Sequence, residues 1–396
     1  MWRLLIVLAQ LALFEKCSGG FVYTTCKKGF EKLLKCEIQN SNPSLKFAFS
    51  RPGLITWKQS DDSGKFDSAR SIFMRSFGQS VSAQATTAAD IIAAASDIVT
   101  QQPGTKRLRL HVWGREEEQG LRIEHPQVTT DRAQRVEKLK GELYGLKTPF
   151  LVAGDETPAE NGEVILDVVV GENESEKIFV GTHIHTHLEL RCRTGYANNL
   201  LPCLILPPES PSRAYLKIEE AIVYLGITMQ AGETVVEIGS APGGAAYSLL
   251  QRGLKVWGID PCPPGRSHDP TVLKSRNFTE VRGKLGQIKA SQMPSDVQWL
   301  LCDANVGAYE AVAELKEMCK KYSSNGKGGG FRGLVYTLKI GDEVFDLAAK
   351  SPQKVLDYIE SVRRDILSTG LFDEQRTVAA SLPSHRQEVV IFAPVK

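Results

Sequence analysis

The sequence predicts an α/β chain in two parts: a doubly wound parallel sheet in the C-terminal half, preceded by smaller α+β domains. Three observations predict it. TVVEIGSAPGGAAYSLLQRG, LKVWGIDP, VQWLLCDA and LVYTLKIG are apolar runs separated by helical stretches. Strands covered on both faces read this way, with the helices as crossovers. The first half instead holds short runs that alternate apolar and polar residues, as half-buried strands do. Between the two patterns lies LLPCLILPPESPSR (200–213), whose four prolines mark a linker.

Composition bounds the problem before any motif is read. The chain has 396 residues, 42% hydrophobic and 24% charged. That supplies ordinary globular cores for two or three domains and excludes a disordered, collagen-like or polytopic membrane protein. Eight cysteines are too few for a disulfide scaffold, and no C-x-x-C pair occurs. A net charge of +2 permits a nucleic-acid partner only through local clustering of basic residues. Residues 1–20 have the outline of a secretory signal: Arg3, an apolar run from Leu4 to Phe14, then Ser18, Gly19 and Gly20 before Phe21. A buried N-terminal helix or a start codon assigned too far upstream gives the same pattern, and the run is too short for a spanning helix.

From Phe21, FVYTTCKKGFEKLLKCEI reads as a strand, a turn and a helix with Phe30, Leu33, Leu34 and Ile38 on one face. LKFAFSRPGLITWK (45–58) reads as paired strands around Pro52-Gly53, closing an α+β unit over 21–75. The Ala-rich stretch 85–100 and the charged stretch 128–148 are helical, and RLRLHVWG (107–114) is a strand. VILDVVVG and KIFVGTHIHTHLELRC form a hairpin across GENESE (171–176). These place a second module over 80–199, the linker at 200–213 and the doubly wound domain over 214–396.

The chemistry centres on E-I-G-S-A-P-G-G (237–244), where a buried strand turns into a helix. Glycine lets the backbone approach a ligand without a Cβ clash, and a helix N-terminus favours ligand oxygens. The candidate cofactor contacts are Glu237, Gly239, Ser240, Ala241, Pro242, Gly243 and Gly244. Glu237 suits an ammonium group. Asp260 ends the next strand 21 residues after Gly239, where nucleoside-binding folds hold ribose hydroxyls. A tight turn that binds nothing is the plainer alternative.

E-x-G-x-x-P-G-G resembles motif I of the S-adenosyl-L-methionine-dependent methyltransferases, especially the FtsJ-like ribose 2′-O-methyltransferases. SRAYLKIEEA (212–221), WLLCDA, YTLKIG and SHRQEVVIF (384–392) resemble the segments that carry that family's catalytic tetrad, here Lys217, Asp303, Lys339 and Glu388. PSRAYLKIEEA, C-x-T-G-Y (192–196), the long C-terminal helix and T-C-K-K-G-F-E-K together resemble the family of the large-subunit ribosomal RNA cytidine 2′-O-methyltransferase M. The resemblance implies a ferredoxin-like piece over 21–75, a THUMP-like RNA-binding domain over 80–199 and a Rossmann-like methyltransferase domain over 214–396. It also implies S-adenosyl-L-methionine as cofactor, with Asp303 touching it, large-subunit ribosomal RNA as partner, no membrane partner and a cytoplasmic location. Three departures stand out: Ala245 and Ala246 where an aromatic is usual, Lys284 where an acid is usual, and divergent loops at 60–75 and 171–176. The first two motivate an alternative, a non-catalytic RNA-binding relative.

Methyl transfer from a sulfonium to a ribose hydroxyl chiefly requires positioning and activation of a poor nucleophile. Lys339, at a strand end, is the candidate to take or withdraw the proton, which calls for a pKa lowered by burial or by Lys217. Asp303 and Glu388 then orient the lysines. Lys27, Lys28, Arg213 and Arg386 are candidate phosphate contacts, though each alone is as readily surface charge. His183, His185 and His187 alternate with Glu189 next in line, but residues two apart on a strand splay too far to share one ion. A solvated strand face is the expectation there, with no metal site; Cys192 and Cys203 pair only in an exported chain, and Cys302 is core. GKGGGFRG (326–333) lacks the ending of a phosphate loop and reads as an ordinary loop.

Overall fold

The computed structural model describes all residues except 1–19, 60–70, 102–104, 116–129, 155–156, 187–193, 202–203, 285, 325–329 and 341–350. The apolar segment at the start, His187, Glu189, Cys192 and Cys203 therefore lie outside the described residues. The chain divides into two compact units, Met1–Cys203 and Leu204–Lys396.

The first unit is built on one eight-stranded sheet. Its elements are β1 (Phe21–Cys26), α1 (Glu31–Ser41), β2 (Lys46–Arg51), β3 (Leu54–Lys58), β4 (Met74–Ala85), α2 (Ala88–Gln101), β5 (Leu108–Gly114), α3 (Asp131–Gly145), β6 (Leu151–Ala153), β7 (Val164–Val170) and β8 (Ile178–Ile184). The strand order is β2-β3-β1-β4-β8-β7-β5-β6, antiparallel except where β5 runs parallel to β6 and β7. β4 crosses from the 21–75 part into the 80–199 part, so both share this sheet.

Alternation along the strands sorts residues between the two faces. Leu108, Leu110 and Val112 of β5 and Leu166, Val168 and Val170 of β7 join Ile91 and Ala95 of α2 and Val136, Leu139 and Leu143 of α3 in one core. α1 buries Leu33, Leu34 and Ile38, the face its spacing predicts. On the opposite face Tyr23, Leu54, Trp113, Val169 and Phe179 form a smaller cluster. There the buried Asp167 carboxylate accepts from the Tyr23 hydroxyl and lies 2.5 Å from His183 Nδ1. His185 is also buried. The solvated histidine face expected from sequence is thus replaced by a half-buried His183, which partners the internal carboxylate, and a buried His185.

The second unit contains α4 (Ala214–Leu225), β9 (Thr234–Ile238), α5 (Gly244–Gln251), β10 (Lys255–Asp260), α6 (Pro270–Leu273), β11 (Phe278–Arg282), β12 (Trp299–Cys302), α7 (Ala308–Ser324), β13 (Gly333–Lys339), α8 (Pro352–Leu367), β14 (Val378–Ala380) and β15 (Glu388–Pro394). The sheet order is β11-β10-β9-β12-β13-β15-β14. The first five strands run parallel, and β15 returns antiparallel between β13 and β14. This is the Rossmann-like doubly wound sheet expected. Chain order reverses between β9 and β12, so a crevice opens at their carboxyl ends, where such sheets hold ligands. α8 buries Val355, Leu356, Ile359, Val362 and Ile366, a helical stripe. Among the described residues no helix is long and apolar enough to cross a membrane.

Candidate active site

Four strands of chain bring the tetrad together at the crevice. Lys217 sits in the first turn of α4. Asp303 follows β12 and donates its backbone N–H to Ile238 of β9. Lys339 ends β13, and the antiparallel register sets Glu388 directly opposite it. Lys217 Nζ lies 3.1 Å from Asp303 Oδ2 and 2.8 Å from Glu388 Oε1. Lys339 Nζ lies 2.6 Å from the same Glu388 oxygen and also donates to Asp303 Oδ1. Two ammoniums and two carboxylates form a closed ring, each side chain less than a quarter exposed.

This ring sets the protonation states. Burial alone would push the Glu388 carboxyl up, but Lys217 and Lys339 outweigh it and hold it at about 2. Burial alone would lower Lys339; Asp303 and Glu388 overcome that, and its pKa is raised. The lowered lysine expected from sequence is therefore not what the free site holds, since two carboxylates act on Lys339 at contact distance. A carboxyl whose folded pKa is depressed stabilises the fold above its unfolded pKa, and that stabilisation is lost as pH falls through the folded value. Glu388→Gln should therefore flatten the acid limb of the stability curve from the ordinary carboxyl range down to about pH 2. Urea unfolding at several pH values measures this, and parallel curves for the two proteins would refute it.

The glycine-rich turn forms the other wall. Gly239 has φ +80, and a Cβ there would come 2.7 Å from Ala304 Cα and 2.9 Å from the Asp303 carbonyl. Gly243 has φ +111, and a Cβ on Gly244 would strike Ser212. Gly239→Ala should cost at least about 1–3 kcal/mol through backbone strain and displace Asp303. A thermal melt and a cofactor titration check it; an unchanged Tm would show that the turn relaxes freely.

Asp260 is buried and fixes this turn from below, accepting from Ala241 N at 3.2 Å and Cys262 N at 2.9 Å. Arg266 Nη2 reaches Asp260 at 3.2 Å and also donates to the Ala241 carbonyl. Ser240 Oγ hydrogen-bonds His268 Nε2, and His268 Nδ1 lies 2.9 Å from Glu280 Oε1. Sequence reasoning missed Arg266, His268 and Glu280, because no spacing links two residues of the loop after β10 to one within β11. Cys262 Sγ stands 3.8 Å from His268 Nδ1, so Cys262, His268 and Glu280 form a group with metal-ligand chemistry that the sequence reading does not see. Ser240 and Glu280 between them satisfy both ring nitrogens of His268.

S-adenosyl-L-methionine carries an ammonium, ribose hydroxyls and a sulfonium, and the buried Glu237 carboxyl fits the first. Glu237 is fully buried, and its Oε2 has no hydrogen-bond partner among the described residues. Burial first, then Asp303 and Asp260, push this carboxyl well above the usual range. A cationic ligand group would relieve that arrangement. Lys217, Glu237, Asp303 and His385 share a cavity of about 30 Å³. Burial pushes the His385 imidazole down to about 4, leaving it neutral at pH 7. Glu220 of α4 accepts the backbone N–H and hydroxyl of Ser384, tying the helix of Lys217 to the segment of Glu388.

The remaining candidates lie elsewhere. Arg213 immediately precedes α4, and Arg386 is exposed beside His385. Lys27 and Lys28 belong to the first unit; Lys28 Nζ pairs with Glu172 at 3.3 Å. Ala245 and Ala246 are buried within α5, while the Tyr247 ring lies 6.1 Å from Tyr215. Lys284 follows β11 and is exposed.

Residues 211–349 match the FtsJ-like methyltransferase family. The chain is 29% identical over 199 residues to the ribosomal RNA large subunit methyltransferase M of Laribacter hongkongensis, covering 48% of this chain and 49% of that one. To the protein of the same name from Shewanella amazonensis it is 26% identical over 197 residues, covering 48% and 49%. The chain thus spans about half the length of the curated relatives it matches. Among solved structures, TrmN from Thermus thermophilus is similar over 95% of this chain and 99% of its own, at 13% identity and a TM-score of 0.32. The C-terminal unit carries an FtsJ-like methyltransferase domain over residues 211–349.

Proposed function

We propose that this chain transfers a methyl group from S-adenosyl-L-methionine to a ribose 2′-hydroxyl of RNA. The observation that carries the reading is the ring of Lys217, Asp303, Lys339 and Glu388 beside the glycine-rich turn. The cofactor supplies an electrophilic methyl on a good leaving group. Glu237 would hold its ammonium, the turn from Gly239 through Ser240, Ala241, Pro242 and Gly243 to Gly244 would contact it, and Asp260 and Asp303 would be its further carboxylate partners. Lys339 would point its charge at the attacking oxygen and stabilise the developing alkoxide, with the hydroxyl proton passing to water and the electron pair of the broken methyl–sulfur bond staying on sulfur, while Lys217 and the two carboxylates hold that ammonium in place. A pocket built around the hydroxyl reads RNA rather than DNA.

The names of the relatives point to large-subunit ribosomal RNA, and the family resemblance to a cytidine and a cytoplasmic site of action. Residues 21–75 serve in this reading as the ferredoxin-like domain and 80–199 as the THUMP-like domain that hold the RNA, with Lys27, Lys28, Arg213 and Arg386 as candidate phosphate contacts. A non-catalytic RNA-binding role fits less well, since an unpartnered buried Glu237 oxygen costs stability unless a ligand uses it. Mass spectrometry of ribose methylation in total RNA, with and without the gene, tests the proposal. Loss of one methylated nucleotide is the expected result; an unchanged spectrum, together with no transfer to RNA by the purified protein, would overturn it.

A further inference from the structure

The first unit carries a groove of about 560 Å³ on the sheet face opposite α2 and α3. Phe179 forms part of its floor, and Phe21 and Phe49 stand at its sides. These two rings are 44% and 36% exposed, on strands that could have carried polar residues there. A register shift between Phe47 and Phe49 decides which face each ring takes. Phe47 packs against Trp57 on the α1 side, whereas Phe49 lies opposite Thr56 and lines the groove.

Charge singles out one kind of occupant. Arg51, Arg115 and Lys177 line the groove, and no acidic side chain does among the described residues. Arg115 is ion-paired to Glu176 at 2.7 Å, but Arg51 and Lys177 make no ion pair among the described residues and are exposed. The Arg51 guanidinium lies 5.2 Å from the Phe49 ring centroid, so a flat cation and a flat ring share one shelf. Ser80, Ser82, Gln84 and Thr56 add hydrogen-bonding groups between the strands.

We propose that this groove binds a single-stranded segment of RNA, with an unpaired base stacked on Phe49 and its flanking phosphates on Arg51 and Lys177. Stacking on an aromatic ring requires a base free of its duplex, which excludes paired RNA from the floor of the groove. Cations without carboxylate partners suit a polyanion rather than an apolar peptide. This rests on the RNA reading above for the class of polymer, and it adds where the strand lies and in what form.

The test is fluorescence anisotropy of the full chain with a labelled eight-nucleotide RNA, single-stranded or annealed to its complement. Phe49→Ala should weaken single-strand binding on the order of tenfold to a hundredfold, and Phe49→Tyr should restore it. Arg51→Ala should also reduce the slope of log affinity against log salt by about one. All variants should keep the parent's Tm and cofactor affinity, since these side chains are exposed and belong to the other unit. Parent-like affinity in Phe49→Ala, or equal binding of the duplex, would overturn the groove. Strand binding that depends on Phe49 in a protein that transfers no methyl group would instead overturn the catalytic reading and leave the groove standing.

Discussion

Lys339→Ala should retain cofactor binding and lose methyl transfer by about a hundredfold or more. The expectation follows from position. Lys339 ends β13 at the crevice, and it donates to both carboxylates of the ring. Removing it leaves Asp303 and Glu388 with Lys217 alone and takes away the charge proposed to meet the attacking oxygen. Glu237 and the glycine-rich turn belong to β9, which β12 separates from β13, and keep their own contacts, so calorimetry with S-adenosyl-L-methionine should give a parent-like affinity. Transfer of labelled methyl to RNA within tenfold of the parent would remove Lys339 from the mechanism. The pH profile separates two forms of its role. The free site raises the Lys339 pKa, so a lysine acting as base would make the rate climb with pH across the neutral range. A lysine acting through its charge would leave the rate flat there.

Glu237→Gln should make the free protein more stable at neutral pH and weaken the cofactor by roughly 1.5–3 kcal/mol, the usual worth of a hydrogen bond to a charged group. The two effects have one cause. Burial, with Asp303 and Asp260 nearby, raises the Glu237 carboxyl well above its unfolded value. The unfolded chain ionises first as pH rises, so this group weakens the fold increasingly until its folded pKa is passed. An amide has no such penalty. An ammonium ligand requires the ionised carboxylate, so binding should release a proton at any pH where the raised pKa leaves the free carboxyl protonated. Calorimetry in two buffers of different ionisation enthalpy detects that proton, and the variant should release none. Equal proton release by both proteins would place the coupling elsewhere.

The C-terminal unit was legible because its signals are local. An apolar run that ends in Lys339, another that ends before Asp303, and a glycine turn after Ile238 each announce a strand end facing the crevice. Glu388 was legible by resemblance, and the register opposite Lys339 supplies its physical reason. What stayed hidden depends on neighbours distant in sequence. The protonation of Lys339 follows from how many carboxylates meet it. His268 takes its place from Ser240 and Glu280, 28 and 12 residues away. β4 was missed altogether: MRSFGQSVSAQA is polar for a central strand, and Gly78 sits where a Cβ would strike Tyr23 and the Thr182 carbonyl. Its pattern reflects an open groove on one side of the sheet, which alternation rules do not anticipate.

β15 follows β13 and β14 in the chain yet lies between them in the sheet, so the ring gains its fourth member only once that strand has inserted. As a ribosome extends this polypeptide, the cradle from Glu237 to Asp303 emerges long before Glu388 does. Removal of β15 alone would leave Glu237, the glycine-rich turn and Asp303 in the chain but take Glu388 out of the ring and uncover the edge of β13.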